Sequence, residues 1–269
     1  MRILLCNDDG VHARGIQVLY DFLSKIGHVT VVAPLEEMST TGHSLTISKP
    51  LRVVPIKKDF YGVSGGPADC VQVAIHELFK KKKPDLVVSG TNRGANLGQD
   101  VYYSGTVSAA REACVMGLPA LAVSLAIDFY EPRPELKLHY ETAGALAVEV
   151  IRHFSHKGKP AFGFPPGTFL NLNSPDLPLK RVKGISLARQ GFRYYSGEIL
   201  KRRDHRGKDY FWVGGGYKGF LKEEGTDCDI VDKGYASLTP LRLDTTYHEF
   251  MLEMMEDWGT PLLPRKKRG

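Results

Sequence analysis

The sequence lacks any apolar run of the roughly 18 residues that a membrane-spanning helix needs. The apolar stretch near its N-terminus, residues 3–6, is far shorter than the core of a signal peptide, and acidic residues follow it at once. We therefore expect no membrane partner and a cytoplasmic location. Hydrophobic residues make up 42% of the 269 residues, which is enough for a substantial buried core.

Cysteine is scarce and carries no recognisable spacing. The chain has four cysteines, none of them in a CxxC pair, and three lie inside apolar segments. This pattern supports neither a disulfide framework nor zinc binding by thiolates. We predict buried free thiols in a reducing compartment.

Positive charge is in excess, but it is concentrated in two short runs. The formal net charge is +6, of which residues 265–268 alone supply +4. A second run, residues 80–83, ends a predicted helix, where cations interact favourably with the helix dipole. We interpret both runs as solvated segments and expect no nucleic-acid partner; a tail that binds RNA is the alternative.

Strands and helices alternate through the first 175 residues. Residues 3–6 predict a buried strand, the spacing of apolar residues over 16–26 predicts a helix closed by Gly27, and residues 29–33 predict a second, parallel strand. Short strands or extended segments are predicted at 51–54 and 60–64. The alternation continues with strands at 86–89, 118–124 and 169–172, of which the last is the predicted final strand of the core, and with helices from 67, over 104–116 and over 136–154. We predict an α/β fold with a mainly parallel, doubly wound sheet.

The composition and the periodicity of the sequence change after residue 180. Glycines, aromatic residues and charges mix there without a clear period, which predicts β-hairpins or an extended arm, followed by a helix over 245–258. Such a segment has too few apolar residues to fold alone, so we expect it to pack on a partner subunit or on the core. We therefore divide the chain into a core, residues 1–180, and a C-terminal arm with helix and basic tail, residues 181–269.

Polar, glycine-rich segments follow three of the predicted strands. Asp8 and Asp9 follow the first strand, Ser39 lies in the loop after the second, and Asn92 follows a later one. Because ligands of an open parallel sheet bind beyond the carboxyl ends of its strands, these side chains are expected to converge. Their oxygens suit magnesium, manganese or calcium better than zinc. A cation would also relieve the repulsion between the adjacent carboxylates.

A predicted helix start lies in the same region and suits an anion. Ser104, Gly105 and Thr106 offer backbone N–H groups and hydroxyls, which predicts a phosphate site next to the cation. Asn92 and Asn96 from the glycine-rich segment 90–98, together with Ser39, complete the candidate phosphate contacts. Each feature alone has a plainer reading as a turn, a tight connection or a helix cap; only their joint placement favours function.

Other reactive residues receive structural interpretations. Asp244 and His248, four residues apart, predict a local side-chain pair rather than a catalytic one. Cys70 and Cys114 fall on predicted helices and are interpreted as core residues rather than nucleophiles. His43 lies in the loop that carries Ser39, where a role beside the phosphate and a hydrogen-bonded loop histidine both stay open.

Several of these segments resemble the SurE (stationary-phase survival protein) nucleotidases. The resemblance is carried by residues 1–12, 89–98 and 103–107, and by shorter matches at 42–46, 67–71 and 234–241, in the family's order. It implies a Rossmann-like core, and a C-terminal arm exchanged between the subunits of a homodimer or homotetramer. It also implies one divalent metal per subunit, Mg²⁺ or Mn²⁺, held by Asp8, Asp9, Ser39 and Asn92. The loop before Ser39 departs from the family, because Leu35 stands where an acid is usual.

The resemblance implies 5'- and 3'-nucleotidase activity, and in some members activity on short polyphosphate. We predict that a metal-activated water hydrolyses nucleoside monophosphates, with Asp8 or Asp9 as proton acceptor and Asn92 also catalytic. Two alternatives stay open. One is a phosphatase of the haloacid dehalogenase type, although that group uses Asp-x-Asp and not adjacent aspartates. The other is a non-catalytic nucleotide- or RNA-binding protein.

Overall fold

The computed structural model describes residues 1–127, 134–155 and 160–258. Its strands, in chain order, are β1 (Arg2–Cys6), β2 (His28–Pro34), β3 (Val53–Lys57), β4 (Phe60–Val63), β5 (Leu86–Arg93), β6 (Ala120–Ala126), β7 (Thr168–Pro175), β8 (Ile185–Leu187), β9 (Arg193–Tyr195), β10 (Ile199–Arg203), β11 (Asp209–Val213), β12 (Tyr217–Phe220) and β13 (Ala236–Arg242). The α-helices are α1 (Arg14–Leu23), α2 (Pro67–Val73), α3 (Gly105–Val115), α4 (Tyr140–Ser155), α5 (Asp227–Asp232) and α6 (His248–Trp258). A π-helical turn, Ala74–Leu78, extends α2.

The main sheet of the described residues has nine strands in the order β3-β4-β2-β1-β5-β6-β7-β13-β8. The six strands from β4 to β7 are mutually parallel. Taken by their sequence among these six, their spatial order is 3-2-1-4-5-6, the order of a doubly wound Rossmann-like sheet. The predicted fold class is therefore confirmed. The strand order reverses between β1 and β5, so the crevice in which such sheets bind ligands lies at the carboxyl ends of these two strands.

Both faces of the parallel sheet are covered by helices. In β1, Ile3 and Leu5 belong to an apolar cluster that includes residues of α1 and α4, whereas Leu4 and Cys6 belong to a second cluster with residues of α2 and α3. Successive side chains of a strand point to opposite faces, so a strand that is apolar at every position is buried on both sides. This explains why the predicted strands read as continuous apolar runs.

The expectation that the core ends with the strand at 169–172 is wrong. Strand β13 pairs antiparallel with β7, with Leu238 opposite Leu172, and β8 pairs with β13 on its far side. The sequence hid β13 because it contains Pro240, which removes a backbone donor, and because its partner lies more than sixty residues away. The chain thus returns to the main sheet after the arm, and the division at residue 180 stays a prediction.

Between β8 and α5 the chain forms the predicted hairpins. Strands β10 and β11 pair with each other, as do β9 and β12. The β10–β11 hairpin exposes large apolar side chains, among them Phe211, Trp212 and Val213.

The basic run at 265–268 lies outside the described residues. All four cysteines are free and buried, as predicted. In the part of the chain that the structure describes, no helix combines the length and the apolarity needed to cross a membrane.

Candidate metal and phosphate site

Asp8 follows β1 directly and is buried against the first turn of α3. Only 3% of the residue is exposed, and the Thr106 hydroxyl donates a hydrogen bond to its Oδ1. Burial raises the pKa of Asp8, while this hydroxyl and the backbone N–H groups of Gly105 and Thr106 act in the opposite direction. A Cβ atom at position 105 would lie 2.7 Å from the Cβ of Asp8, so glycine is what permits this contact.

Asp9 is the less buried carboxylate of the pair. Its Oδ2 accepts a hydrogen bond from the backbone N–H of Arg93 at 3.1 Å, which joins the end of β1 to the end of β5. Burial and, next, the charge of Asp8 raise the pKa of Asp9 to about 7, against the effect of the Arg93 donor. Among the residues that the structure describes, no Lys, Arg or His side chain forms an ion pair with either carboxylate. The pair therefore carries a negative charge that the described chain does not neutralise.

Asn92 lies directly before Arg93, whose backbone N–H contacts Asp9, because β5 is longer than the sequence predicts. The strand was expected to end at residue 89, but it continues to Arg93 with a register shift between Ser89 and Asn92, which brings Asn92 opposite Ser124. Gly90, at φ +139°, makes this possible, since a Cβ atom there would lie 2.1 Å from the carbonyl oxygen of Val123. The Asn92 Nδ2 donates to the carbonyl of Gly94 at 3.0 Å, which leaves the side-chain oxygen for a ligand.

Ser39 lies in a loop whose backbone is tied to Asp8. The N–H of Met38 donates to the carbonyl of Asp8 at 2.8 Å. The Ser39 hydroxyl itself donates to Oε1 of Glu37 at 2.8 Å. The charge of Glu37 also raises the pKa of Asp9. Glu37 is thus a third carboxylate near Asp9. The sequence gives no signal for it, because nothing in the chain distinguishes Glu37 from the neighbouring Glu36.

The polar groups of the three residues at the start of α3 form hydrogen bonds with other groups of the protein. Ser104 is the N-cap, and its Oγ accepts from the N–H of Val107 at 3.0 Å. Gly105 and Thr106 donate to Asp8, as described above. The helix start therefore supports a carboxylate first, and phosphate binding by these three residues stays a prediction.

Asn96 is 5% exposed and held by polar side chains of the sheet. Its N–H donates to Oδ1 of Asn173 at 2.8 Å, its carbonyl accepts from Nδ2 of Asn171 at 2.8 Å, and its own Nδ2 donates to Ser124 at 2.7 Å. These bonds fix the segment that follows Asn92. A direct contact between Asn96 and phosphate stays a prediction.

The remaining candidates have the structural roles that were weighed for them. His43 is a hydrogen-bonded loop histidine whose Nε2 lies 2.7 Å from Oε2 of the buried Glu112 on α3. Asp244 and His248 form the local pair at 2.8 Å. Burial raises the pKa of the Cys70 and Cys114 thiols, which opposes a nucleophilic role.

The donor set fits a hard divalent cation. Within the described ranges 1–127, 134–155 and 160–258, no group of three or more His, Cys, Asp or Glu side chains could by itself hold a metal ion. A cation held by the two carboxylates, Asp8 and Asp9, with the neutral oxygens of Ser39 and Asn92 stays a prediction. Oxygen donors from few carboxylates, completed by water and substrate, are what magnesium usually takes in proteins.

A family model described as "Survival protein SurE" matches residues 3–197. The chain belongs to the SurE family. This SurE chain is 46% identical over 258 residues to a protein of Geobacter sulfurreducens named 5'-nucleotidase SurE, a match that covers 96% of this chain and 94% of the relative. A protein of the same name from Pelobacter propionicus is 45% identical over 251 residues, which are 93% of this chain and 97% of the relative.

The fold of this SurE chain also matches a solved structure, the crystal structure of the SurE protein from Aquifex aeolicus. The two share a TM-score of 0.80 and 39% sequence identity, over 96% of this chain and all of the other (100%). The resemblance inferred from the motifs is confirmed by these matches.

Proposed function

We propose that this SurE family member is a phosphatase that hydrolyses nucleoside monophosphates, both 5' and 3', to nucleoside and phosphate. The observation that carries the proposal is the buried Asp8–Asp9 pair at the reversal of strand order, joined by hydrogen bonds to the end of β5 and the start of α3. The names of the relatives, 5'-nucleotidase SurE, support the same activity.

One divalent cation, Mg²⁺ or Mn²⁺, would be held by Asp8, Asp9, Ser39 and Asn92. Two observations support this set: neither carboxylate forms an ion pair with a side chain of the described residues, and the bond from Asn92 Nδ2 to Gly94 leaves the Asn92 side-chain oxygen for a ligand. When bound, such a cation supplies charge neutralisation at the phosphoryl group and activates water.

Side chains of the protein would orient Asp8, accept the proton of the attacking water and hold the phosphoryl oxygens. Thr106 and the first turn of α3 fix the orientation of Asp8 and favour its charged form. Asp9 has one oxygen engaged by the Arg93 N–H, so its other oxygen, Oδ1, can accept the proton of the attacking water. Asn92, Asn96, Ser39 and the Ser104–Thr106 turn would hold the phosphoryl oxygens, where charge develops as the ester bond breaks.

Finer features of the family resemblance belong to the same proposal. We propose self-association as a homodimer or homotetramer through the C-terminal arm; the exposed apolar side chains of the β10–β11 hairpin, including Phe211 and Trp212, support it. Activity on short polyphosphate and a cytoplasmic location complete the proposal, the latter supported by four buried free thiols.

The test is phosphate release from a panel of 5' and 3' nucleotides by chelated protein to which single metals are returned. We expect activity only with added Mg²⁺ or Mn²⁺, and its loss in Asp9→Asn. The matched control is Asp21→Asn on the exposed face of α1, which is expected to keep wild-type turnover. Substantial turnover by the metal-free protein, or by Asp9→Asn, contradicts the proposed function.

A further inference from the structure

A cavity of about 480 Å³ is lined by the two chain neighbours of Asn96 and by the end of β6. Ala95 and Leu97, on either side of Asn96, form one wall, and Ala126 at the end of β6 forms another. Ser124 lies opposite Asn92 in the sheet, and Ala126 is two residues further along β6, which is about 7 Å along the strand. Since neighbouring strands lie about 5 Å apart, this wall of the cavity is about 8 Å from Asn92, which is proposed to hold the phosphoryl group.

The base of the arm closes the cavity with rings and a buried arginine. Tyr217 and Phe220 of β12 and Arg193 of β9 line it. Arg193 is 6% exposed, its guanidinium lies 4.3 Å from the centre of the Tyr217 ring, and its Nη1 pairs with Asp100 at 2.5 Å. Its Nε is buried and has no hydrogen-bond partner among the described residues. A buried donor without a partner is costly, so this N–H calls for an acceptor from a ligand.

The charge of the cavity indicates a neutral ligand group rather than a second anion. The guanidinium of Arg193 is already compensated by Asp100. Of the other charged residues that line the cavity, Asp232 pairs with Lys222 at 3.5 Å, and Lys218 is exposed to solvent. Aromatic faces, apolar walls and one fixed N–H donor are the features by which proteins hold a planar heterocycle.

We propose that this cavity binds the nucleoside portion of the substrate, with Phe220 and Tyr217 against the base and the Arg193 Nε–H donating to an acceptor on the base or ribose. The inference rests on the proposed nucleotidase function, because it names the part of the substrate that the metal and phosphate residues leave unbound. It gives the arm a role within the site of its own subunit.

The first test measures binding of adenosine, which has no phosphate, to the metal-free protein by titration calorimetry at millimolar ligand. We expect binding to wild type, and about tenfold weaker binding to Phe220→Ala, as the loss of one stacking ring predicts. Leu179→Ala, an exposed apolar side chain outside both the cavity and the hairpins of the arm, is the control and is expected to bind as wild type. Arg193→Lys keeps a positive charge near Asp100 but removes the Nε donor, and is also expected to bind more weakly.

The second test compares kcat/KM for AMP with kcat/KM for phenyl phosphate, which carries no nucleoside. The ratio is expected to fall about tenfold in Phe220→Ala and to stay constant in Leu179→Ala. No adenosine binding by wild type, or an unchanged ratio in both Phe220→Ala and Arg193→Lys, overturns the subsite. If wild type releases phosphate from neither compound with any metal, the nucleotidase proposal fails instead, and adenosine binding still decides the cavity.

Discussion

Gly105→Ala tests how closely Asp8 is held by the first turn of α3. The new Cβ atom would lie 2.7 Å from Cβ and 2.8 Å from Oδ2 of Asp8. Ordinary contact begins at 3.4 Å, so the separation must grow by 0.7 Å (3.4 − 2.7). Asp8 is short and 3% exposed, and it has no flexible end that could swing aside. The carboxylate itself must therefore move.

Two consequences of different size follow from that displacement. Overpacking of a filled site costs about 1–3 kcal/mol of stability, which shifts the Tm of a chain of this length by about 2–4 °C per kcal/mol. Activity is expected to suffer more, because a misplacement approaching 1 Å in a site costs on the order of a hundredfold in rate. We expect kcat/KM to fall about a hundredfold while the protein stays folded.

The assay is steady-state phosphate release with saturating Mn²⁺, paired with thermal unfolding of the same samples. Gly197→Ala is the matched control. A Cβ atom at position 197 would meet no atom within 4 Å, and the φ of Gly197 lies outside the positive range that disfavours residues with a side chain. Wild-type kcat/KM in Gly105→Ala would show that the contact between Asp8 and α3 does not position the reacting groups, and would refute the reasoning.

Three further perturbations have defined outcomes. In chelated protein the raised pKa of Asp9, about 7, means that the folded state binds this proton more tightly than the unfolded chain, so stability falls as pH rises from about 4 to 7. Asp9→Asn is therefore expected to raise the Tm more at pH 8 than at pH 5, and an equal change at both pH values contradicts this. Thr106→Val removes the hydroxyl donor of Asp8 and is expected to cost about 1–3 kcal/mol and to weaken Mn²⁺ binding in calorimetry, with recovery in Thr106→Ser. Trp212→Asp on the exposed hairpin is expected to reduce the sedimentation mass of the assembly; an unchanged mass rejects self-association through that hairpin.

The parallel core could be predicted because each of its strands carries its own signal. Continuous apolar runs such as residues 29–33 mark strands buried on both faces, and the helix between two such runs makes them parallel. The convergence of the loops that follow these strands then depends only on topology. That is why the sequence alone predicts that Asp8, Asp9 and Asn92 lie at one edge of the sheet.

The features that escaped prediction depend on contacts between distant residues. The extension of β5 rests on the close approach of Gly90 to Val123, whereas a run of glycines by itself reads as a loop. The hydrogen bond from Thr106 to Asp8 joins residues 98 positions apart, so the sequence indicates a helix start but not which acceptor it meets. The return of β13 to the sheet is hidden for the same reason, since its pairing partner is β7 and not a neighbour in sequence.

The most direct measurement of the central claim is an anomalous-scattering map from crystals soaked in Mn²⁺. We expect one strong peak per subunit at bonding distance, about 2.0–2.3 Å, from oxygens of Asp8, Asp9, Ser39 and Asn92. A peak bound elsewhere in the chain, or an empty crevice between β1 and β5 at saturating Mn²⁺, would contradict the account.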